Sequence, residues 1–176
     1  MRKLHFLIAK VVFSLFNWAK KTVFLAKLEK MKNVSNLASC GVNTVFTGNV
    51  QNIYIGDYTY INRAHITCGD KSNVIIGSGC AIGYNVSIKA LTHSMKKPTT
   101  NINGPLVHNE KTIKIGNDCW IGDNVFIKEG VAIGSNVIVG ANSVVTSDFG
   151  DNIIIAGSPA KLIKERSNEM ALDMET

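Results

Sequence analysis

From Ile115 onward an aliphatic residue returns at every sixth position, through Ile121, Ile127, Ile133, Val139 and Val145. The same phase runs through Ile55, Ile76 and Ile82, so nine six-residue units keep one pattern. A fixed period of this kind is the mark of a repeat architecture. Position five of the units holds a second small or medium residue: Thr59, Cys80, Val86, Cys119, Val125, Val131, Val137 and Ser143. Position five of one unit and position one of the next are two apart, the spacing at which a strand points both side chains to the same side. Val125 with Ile127, and Val131 with Ile133, therefore predict short strands that each bury a pair. Position four holds Gly79, Asn85, Asp118, Asn124, Gly130, Asn136, Asn142 and Asp148, residues that tolerate positive φ, with Tyr58 as the exception. A corner is expected at each of these positions, and the chain from about residue 50 winds as a solenoid around a slim aliphatic interior.

Before the repeat the texture differs. Met1 to Cys40 contain no Gly or Pro, and Leu4, Ile8, Val11, Leu15, Trp18 and Leu25 recur at the spacing of one helix face. This predicts a helical segment over residues 1–40, followed by the solenoid over 41–158 and a short tail over 159–176. The longest charge-free run in the helix, Val11 to Ala19, is well under the ~20 residues that cross a bilayer. The opening stretch imitates an export signal, yet Lys10 interrupts its apolar run and no small-residue cleavage site precedes Lys20 and Lys21, so export is not expected.

Composition sharpens this picture. Apolar residues make up 45% of the chain but aromatics only 7%, which suits an interior filled by branched side chains. Cys40, Cys68, Cys80 and Cys119 show no metal-binding spacing, and a chain of this length needs no disulfide staples, so a reducing cytoplasm is the expected setting. Cys80 and Cys119 fall at the inward position five, and His65 is expected inward if the phase holds. The net charge of +6 is uneven: residues 1–32 hold eight Lys or Arg against one Glu, +7, while the rest hold eleven against twelve acids, −1. A general basic character suited to nucleic acid is absent. A basic amphipathic helix over residues 1–30 would lie on anionic lipid, cap the end of the coil or pack against a neighbouring subunit.

The repeat breaks twice. Around Cys68-Gly69-Asp70 the phase slips by three residues. Then Thr92 to Lys111 carry no repeat at all, with His93 at the root and Pro98 and Pro105 within, and must leave the coil as a loop. Loops this long without structure of their own are uncommon unless they form a lid or binding arm.

Together the repeat, the Cys119-Trp120-Ile121-Gly122 run and the closing Ala156-Gly157-Ser158-Pro159-Ala160-Lys161 segment resemble the hexapeptide-repeat acyltransferases, most of all the maltose, galactoside, nodulation-type and polysaccharide O-acetyltransferases. That resemblance implies a left-handed parallel β-helix with 18 residues per coil, assembled as a homotrimer with its sites between subunits. It implies an O-acetyltransferase that takes acetyl-coenzyme A as co-substrate, needs no metal, and acts on a sugar or saccharide hydroxyl, as in surface polysaccharide synthesis. His93 at the loop base matches the general base, which neutral imidazole can be near pH 7. Trp120, Asp123, Ala141 and Thr146 match positions that contact the coenzyme, and Lys161 and Lys164, three apart on an expected C-terminal helix behind Pro159, match the pair that meets its phosphates. Asn62 and Asp70 match the acceptor-binding pair, although an Asp after Gly in a phase slip is also ordinary turn chemistry.

Other acceptors, namely serine, an amino sugar or an antibiotic, fit the same pattern. A metal-dependent hydratase of the γ-carbonic anhydrase kind would need three converging histidines, and only His65, His93 and His108 are available without the expected spacing. A non-catalytic scaffold would leave the extruded loop and His93 without a purpose.

Overall fold

The computed structural model describes residues 2–94 and 108–166. Two compact units divide at Lys32 and Asn33.

The first unit is a helix, Arg2–Glu29. Its 28 residues, rich in Leu and Lys and free of Gly and Pro, extend for about 42 Å. Among the described residues no helix is long and apolar enough to cross a membrane. The helix is shorter than the expected 1–40 segment. Asn33, Ser35 and Asn36 favour turns, the Ser35 hydroxyl accepts the Leu37 N–H at 3.0 Å, and Ser35 N donates to Ile55 O at 2.9 Å. Ser39–Cys40 then pair in parallel with Tyr60–Ile61, so residues 33–40 already belong to the first coil.

In the second unit, strands stack in parallel to form three walls. One wall is the four-stranded sheet of Ile53–Ile55, Val74–Ile76, Ile113–Ile115 and Ala132–Ile133. The long strands Tyr60–Cys68 and Ala81–Lys89 bend round a corner and join the other two walls. All nine aliphatics at position one and all eight residues at position five are at most 3% exposed, as the period demands. Phe46 is the one ring among the largest fully buried side chains. Each buried Ile or Val stabilises by roughly 1.5–3 kcal/mol, and the backbone groups of one coil are satisfied by the next, as in Trp120 N to Val137 O and Gly122 N to Val139 O, both 2.9 Å.

The corners follow the expected rule with one departure. Asn85, Asp118, Asn124, Asn136 and Asn142 have φ between 55° and 61°, Gly79 and Gly130 are also positive, and Tyr58 obeys the geometry at 57° despite its type. Asp148 does not. There the coil shortens, and its carboxylate instead accepts the Ala132 N–H at 2.8 Å. Position three proves to be structural as well, because its side chains accept an N–H from the neighbouring coil. Asn117 Oδ1 takes Ser78 N at 2.9 Å, Asp123 Oδ1 takes Tyr84 N at 2.7 Å, and Ser135 Oγ takes Asn117 N at 3.0 Å.

Two expectations are corrected. His65 points outward between the buried Ala64 and Ile66, because the strand Tyr60–Cys68 runs out of phase with the repeat. It meets Thr47 Oγ1 at 3.4 Å, and burial, reinforced by Lys89, lowers its pKa. The expected C-terminal helix is a strand, Ala160–Glu165, antiparallel to Ile153–Gly157. A solenoid ends in an unpaired edge, and this hairpin covers it.

The stacked corners are a testable demand on sequence. Asn142→Val, a β-branched residue at φ 61°, should lower stability by roughly 1–3 kcal/mol in urea unfolding, and Asn142→Gly should lose less.

Candidate functional site

The long interruption leaves and returns through a single neck. Ser78 N bonds Asn117 Oδ1 across 39 positions, where a regular coil separates partners by 18, as between Asn117 and Ser135. The surplus exits at Ala90, which is fully buried, and re-enters at Lys111, whose N–H donates to Ala90 O at 3.0 Å. Immediately outside, the segment has structure of its own, contrary to expectation. Leu91–His93 and His108–Glu110 form an antiparallel ribbon in which Leu91 faces Glu110 and His93 faces His108. Pro98 and Pro105 lie outside the described residues.

Strand alternation puts Leu91 and His93 on one side of this ribbon, with Glu110 and His108 across from them. The two imidazole rings are 5.2 Å apart between centroids. Leu91, His108 and Glu110 line a cavity of about 390 Å³ together with Asn49 and Asp70; His93 shares their face of the ribbon beside His108 but does not itself line the cavity. The phase slip is what delivers Asp70. Ser72 Oγ accepts the Gly69 N–H at 3.0 Å, Asn52 Nδ2 donates to Gly69 O at 3.0 Å, and Glu110 Oε2 accepts the Lys71 N–H at 2.6 Å. A Cβ on Gly69 would sit 2.1 Å from Glu110 Oε2, so only glycine lets the carboxylate close in. Asn49 Nδ2 donates to Asp70 Oδ1 at 3.0 Å.

Of the residues expected from sequence, Asp70 lines this cavity and His93 stands on the ribbon beside it; the sequence offers His108 only as a metal ligand and does not single out Asn49 or Glu110. The return of the chain three residues before Ile113 could have flagged Glu110; nothing local marks Asn49. Asn62 does not line the cavity. It is the third residue of the strand Tyr60–Cys68, two residues beyond whose other end stands Asp70.

The other expected residues lie on a different edge. Trp120 is 57% exposed on an outward column in which Tyr60, Ala81, Trp120, Ile138, Ile154 and Lys164 are successive register partners. Lys164 is thus three strand spacings, about 14 Å, along the wall from Trp120. Lys161 pairs with Ala156 and Lys164 with Ile154, across a bulge in the hairpin. Their partners are two apart and flank the buried Ile155, so both lysines face outward on one side even though no helix places them there. Asp123 and Ala141 stack one coil apart at the corner after this wall, where Asn142 N donates to Asp123 O at 2.8 Å. One Asp123 oxygen is spent on the Tyr84 N–H. Thr146 is on the next corner, above Lys128, the corner from which the neck leaves.

Thiol chemistry does not supply a nucleophile. Burial pushes Cys40 up to about 11 and raises Cys68, whose Sγ donates to Ser72 O at 3.0 Å. The hydrogen bond with Cys119 lowers the pKa of the Cys80 thiol to about 7 and raises that of Cys119, but both are inside the coil, donate to Gly116 O and Gly134 O at 3.1 Å, and are closed to reagents by burial. His65 lies on a wall, apart from the His93–His108 ribbon, and among the described residues no group of three or more His, Cys, Asp or Glu is placed to hold a metal.

Comparison with known proteins agrees with this architecture. Residues 112–147 match the family described as Bacterial transferase hexapeptide (six repeats). A galactoside O-acetyltransferase of Escherichia coli is 38% identical over 114 residues, 65% of this chain and 54% of its own length. The chain thus spans about half the length of that relative. Among solved structures, a hexapeptide-repeat acetyltransferase of Vibrio cholerae is 30% identical with a TM-score of 0.60, over 77% of this chain and 70% of the other. A galactoside acetyltransferase in complex with coenzyme A is 32% identical with a TM-score of 0.62, over 76% and 66%.

The thiols should be nearly inert. With a pKa of about 11, Cys40 keeps roughly one thiolate in a thousand at pH 8, so the native chain should react slowly with a disulfide reagent, and all four cysteines should react once it is denatured. Rapid modification of one thiol in the native state would contradict this assignment.

Proposed function

The chain belongs to the hexapeptide-repeat acetyltransferases, and on that footing we propose that it transfers an acetyl group from acetyl-coenzyme A to a hydroxyl of a sugar or saccharide, such as a unit of a surface polysaccharide. One observation carries the reading: on the extruded ribbon His93 pairs with His108, which lines a cavity together with Asp70 and Glu110.

A sugar hydroxyl is a weak nucleophile and must lose its proton as it attacks. His93 accepts that proton as the new C–O bond forms at the thioester carbonyl. The tetrahedral intermediate then collapses, the C–S bond breaks, and the coenzyme thiolate recovers the proton from the imidazolium. No acyl-enzyme is required, in keeping with the raised pKa of Cys68 beside the cavity. Asp70 and Glu110 each accept one N–H through one oxygen, Asp70 from Asn49 and Glu110 from Lys71, and each has a second oxygen that can receive an acceptor hydroxyl. Paired carboxylates beside an amide suit a polyol.

The coenzyme is assigned to the outward Trp120 column, with the pantetheine amides lying along the strand edges beside Asp123 and Ala141 and the phosphates meeting Lys161 and Lys164. The lysines bind as point charges rather than as a fork. This wall and the histidine ribbon stand at different corners, separated by the six residue steps from Ile121 to Ile127, up to about 20 Å of extended chain. That separation supports a homotrimer in which the ribbon of one copy reaches the coenzyme wall of the next. Asn62, at the corner of that wall, would then join Asp70 of the neighbouring copy. A coenzyme-A donor supports a cytoplasmic setting.

His93→Ala should lower acetyl-coenzyme A turnover with a sugar acceptor by about 100-fold or more, measured as released thiol. Unchanged turnover would remove His93 from the mechanism. Mixed assemblies of His93→Ala with Trp120→Ala should recover activity that neither variant has alone, since some interfaces then combine an intact ribbon with an intact wall. Failure to recover it in assemblies that demonstrably mix would count against a shared site.

A further inference from the structure

The helix Arg2–Glu29 is unlike anything the transfer reaction needs, and its surface is unusually apolar for one facing water. At 100° per residue, Leu4, Ile8, Val11, Leu15, Trp18 and Leu25 share one face. Each is 45–67% exposed. Contiguous apolar surface on this scale marks an interaction site.

The charges decide what covers it. Lys3, Lys10 and Lys21 line one flank of the apolar face, while Arg2, Lys20 and Lys27 lie on its opposite side, beyond Phe16 and Val23. The first acid in the chain is Glu29. Lysine stems fold along the helix, with Lys10 Nζ 4.7 Å from the Phe6 ring and Lys20 Nζ 4.6 Å from that of Phe16, so that even on the charged side, where Phe6 and Phe13 are exposed, the ammonium groups lie over apolar bodies as at a lipid surface. A second copy of the helix would set six cations against six, with Glu29 the one acid on each copy, +5 against +5. No window of the helix is apolar enough to span. An anionic lipid surface satisfies both halves, receiving the apolar face at the acyl boundary and the cations at the headgroups.

We propose that the N-terminal helix lies in the plane of a membrane bearing anionic lipid and holds the solenoid against it. The inference stands independently of the transfer chemistry.

Flotation of the full chain with phosphatidylcholine vesicles, with and without phosphatidylglycerol, tests it. Binding is expected only to the anionic vesicles, weakening steeply with added salt. Lys3→Gln, Lys10→Gln and Lys21→Gln combined should weaken partition roughly 100-fold. In a Trp120→Phe background the single remaining tryptophan, Trp18, should shift to shorter emission wavelength as it enters the interface. The proposal is overturned if the chain ignores anionic vesicles, or binds neutral ones equally well and indifferently to the lysine substitutions. It is equally overturned if Trp18→Ser leaves vesicle binding intact while breaking up an oligomer, since the face would then be a contact between copies. Circular dichroism of each variant separates loss of binding from loss of the helix.

Discussion

Every coil of the solenoid must present its backbone N–H and C=O groups to the coil above at the strand spacing, while turning an aliphatic pair inward at each wall. This double requirement fixes the step of 18 residues seen between Asn117 and Ser135, and with it the chemistry of nearly every position in the repeat. Position four must reach positive φ so that the chain can turn before the next wall. Position three must cap an N–H that the corner leaves without a ladder partner, as Asp123 does for Tyr84. Within the repeat bulk is excluded from the interior, which explains why Cys80, Cys119 and Ser143 sit at position five, whereas the buried Phe46 ring precedes the repeat.

The same constraint governs how function enters. A coil that must stack cannot accommodate extra residues within a wall, so they gather at corners. The slip after Cys68 becomes a turn held by Ser72 and Asn52, and it aims Asp70 outward. The larger surplus passes through a neck one hydrogen bond wide, between Lys111 N and Ala90 O, and opens as a ribbon that displays two histidines. Both insertions emerge on one corner, which is why a polar cavity exists there at all. The Trp120 column lies on a wall with no insertion, and its outward faces are repeated at strict register up to Lys164.

Much of this was legible because the repeat is a local code. The period alone identified the buried positions and seven of the eight non-tyrosine corners, and the break at Thr92 located His93. What escaped depended on partners distant in sequence. Lys161 and Lys164, three apart, read as one helix face; a hairpin with a bulge achieves the same sidedness, and the edge it covers is invisible in the local pattern. His65 was placed inward by extending a phase that the strand Tyr60–Cys68 abandons. Residues 33–40 read as helix because they lack Gly and Pro, yet the first coil needs them to satisfy Ile55 and Thr59. Asn49, His108 and Glu110 became part of the candidate site only when three separate segments met at one corner.

The central claim is that the histidine ribbon of one copy serves the coenzyme wall of another. A crystal structure of the chain with coenzyme A bound tests it most directly. The account predicts the pantetheine arm along the column from Trp120 to Ile154, with its thiol within reach of His93 from a neighbouring copy. A thiol beside the His93 of the same copy, or a coenzyme seated on another wall, would contradict it.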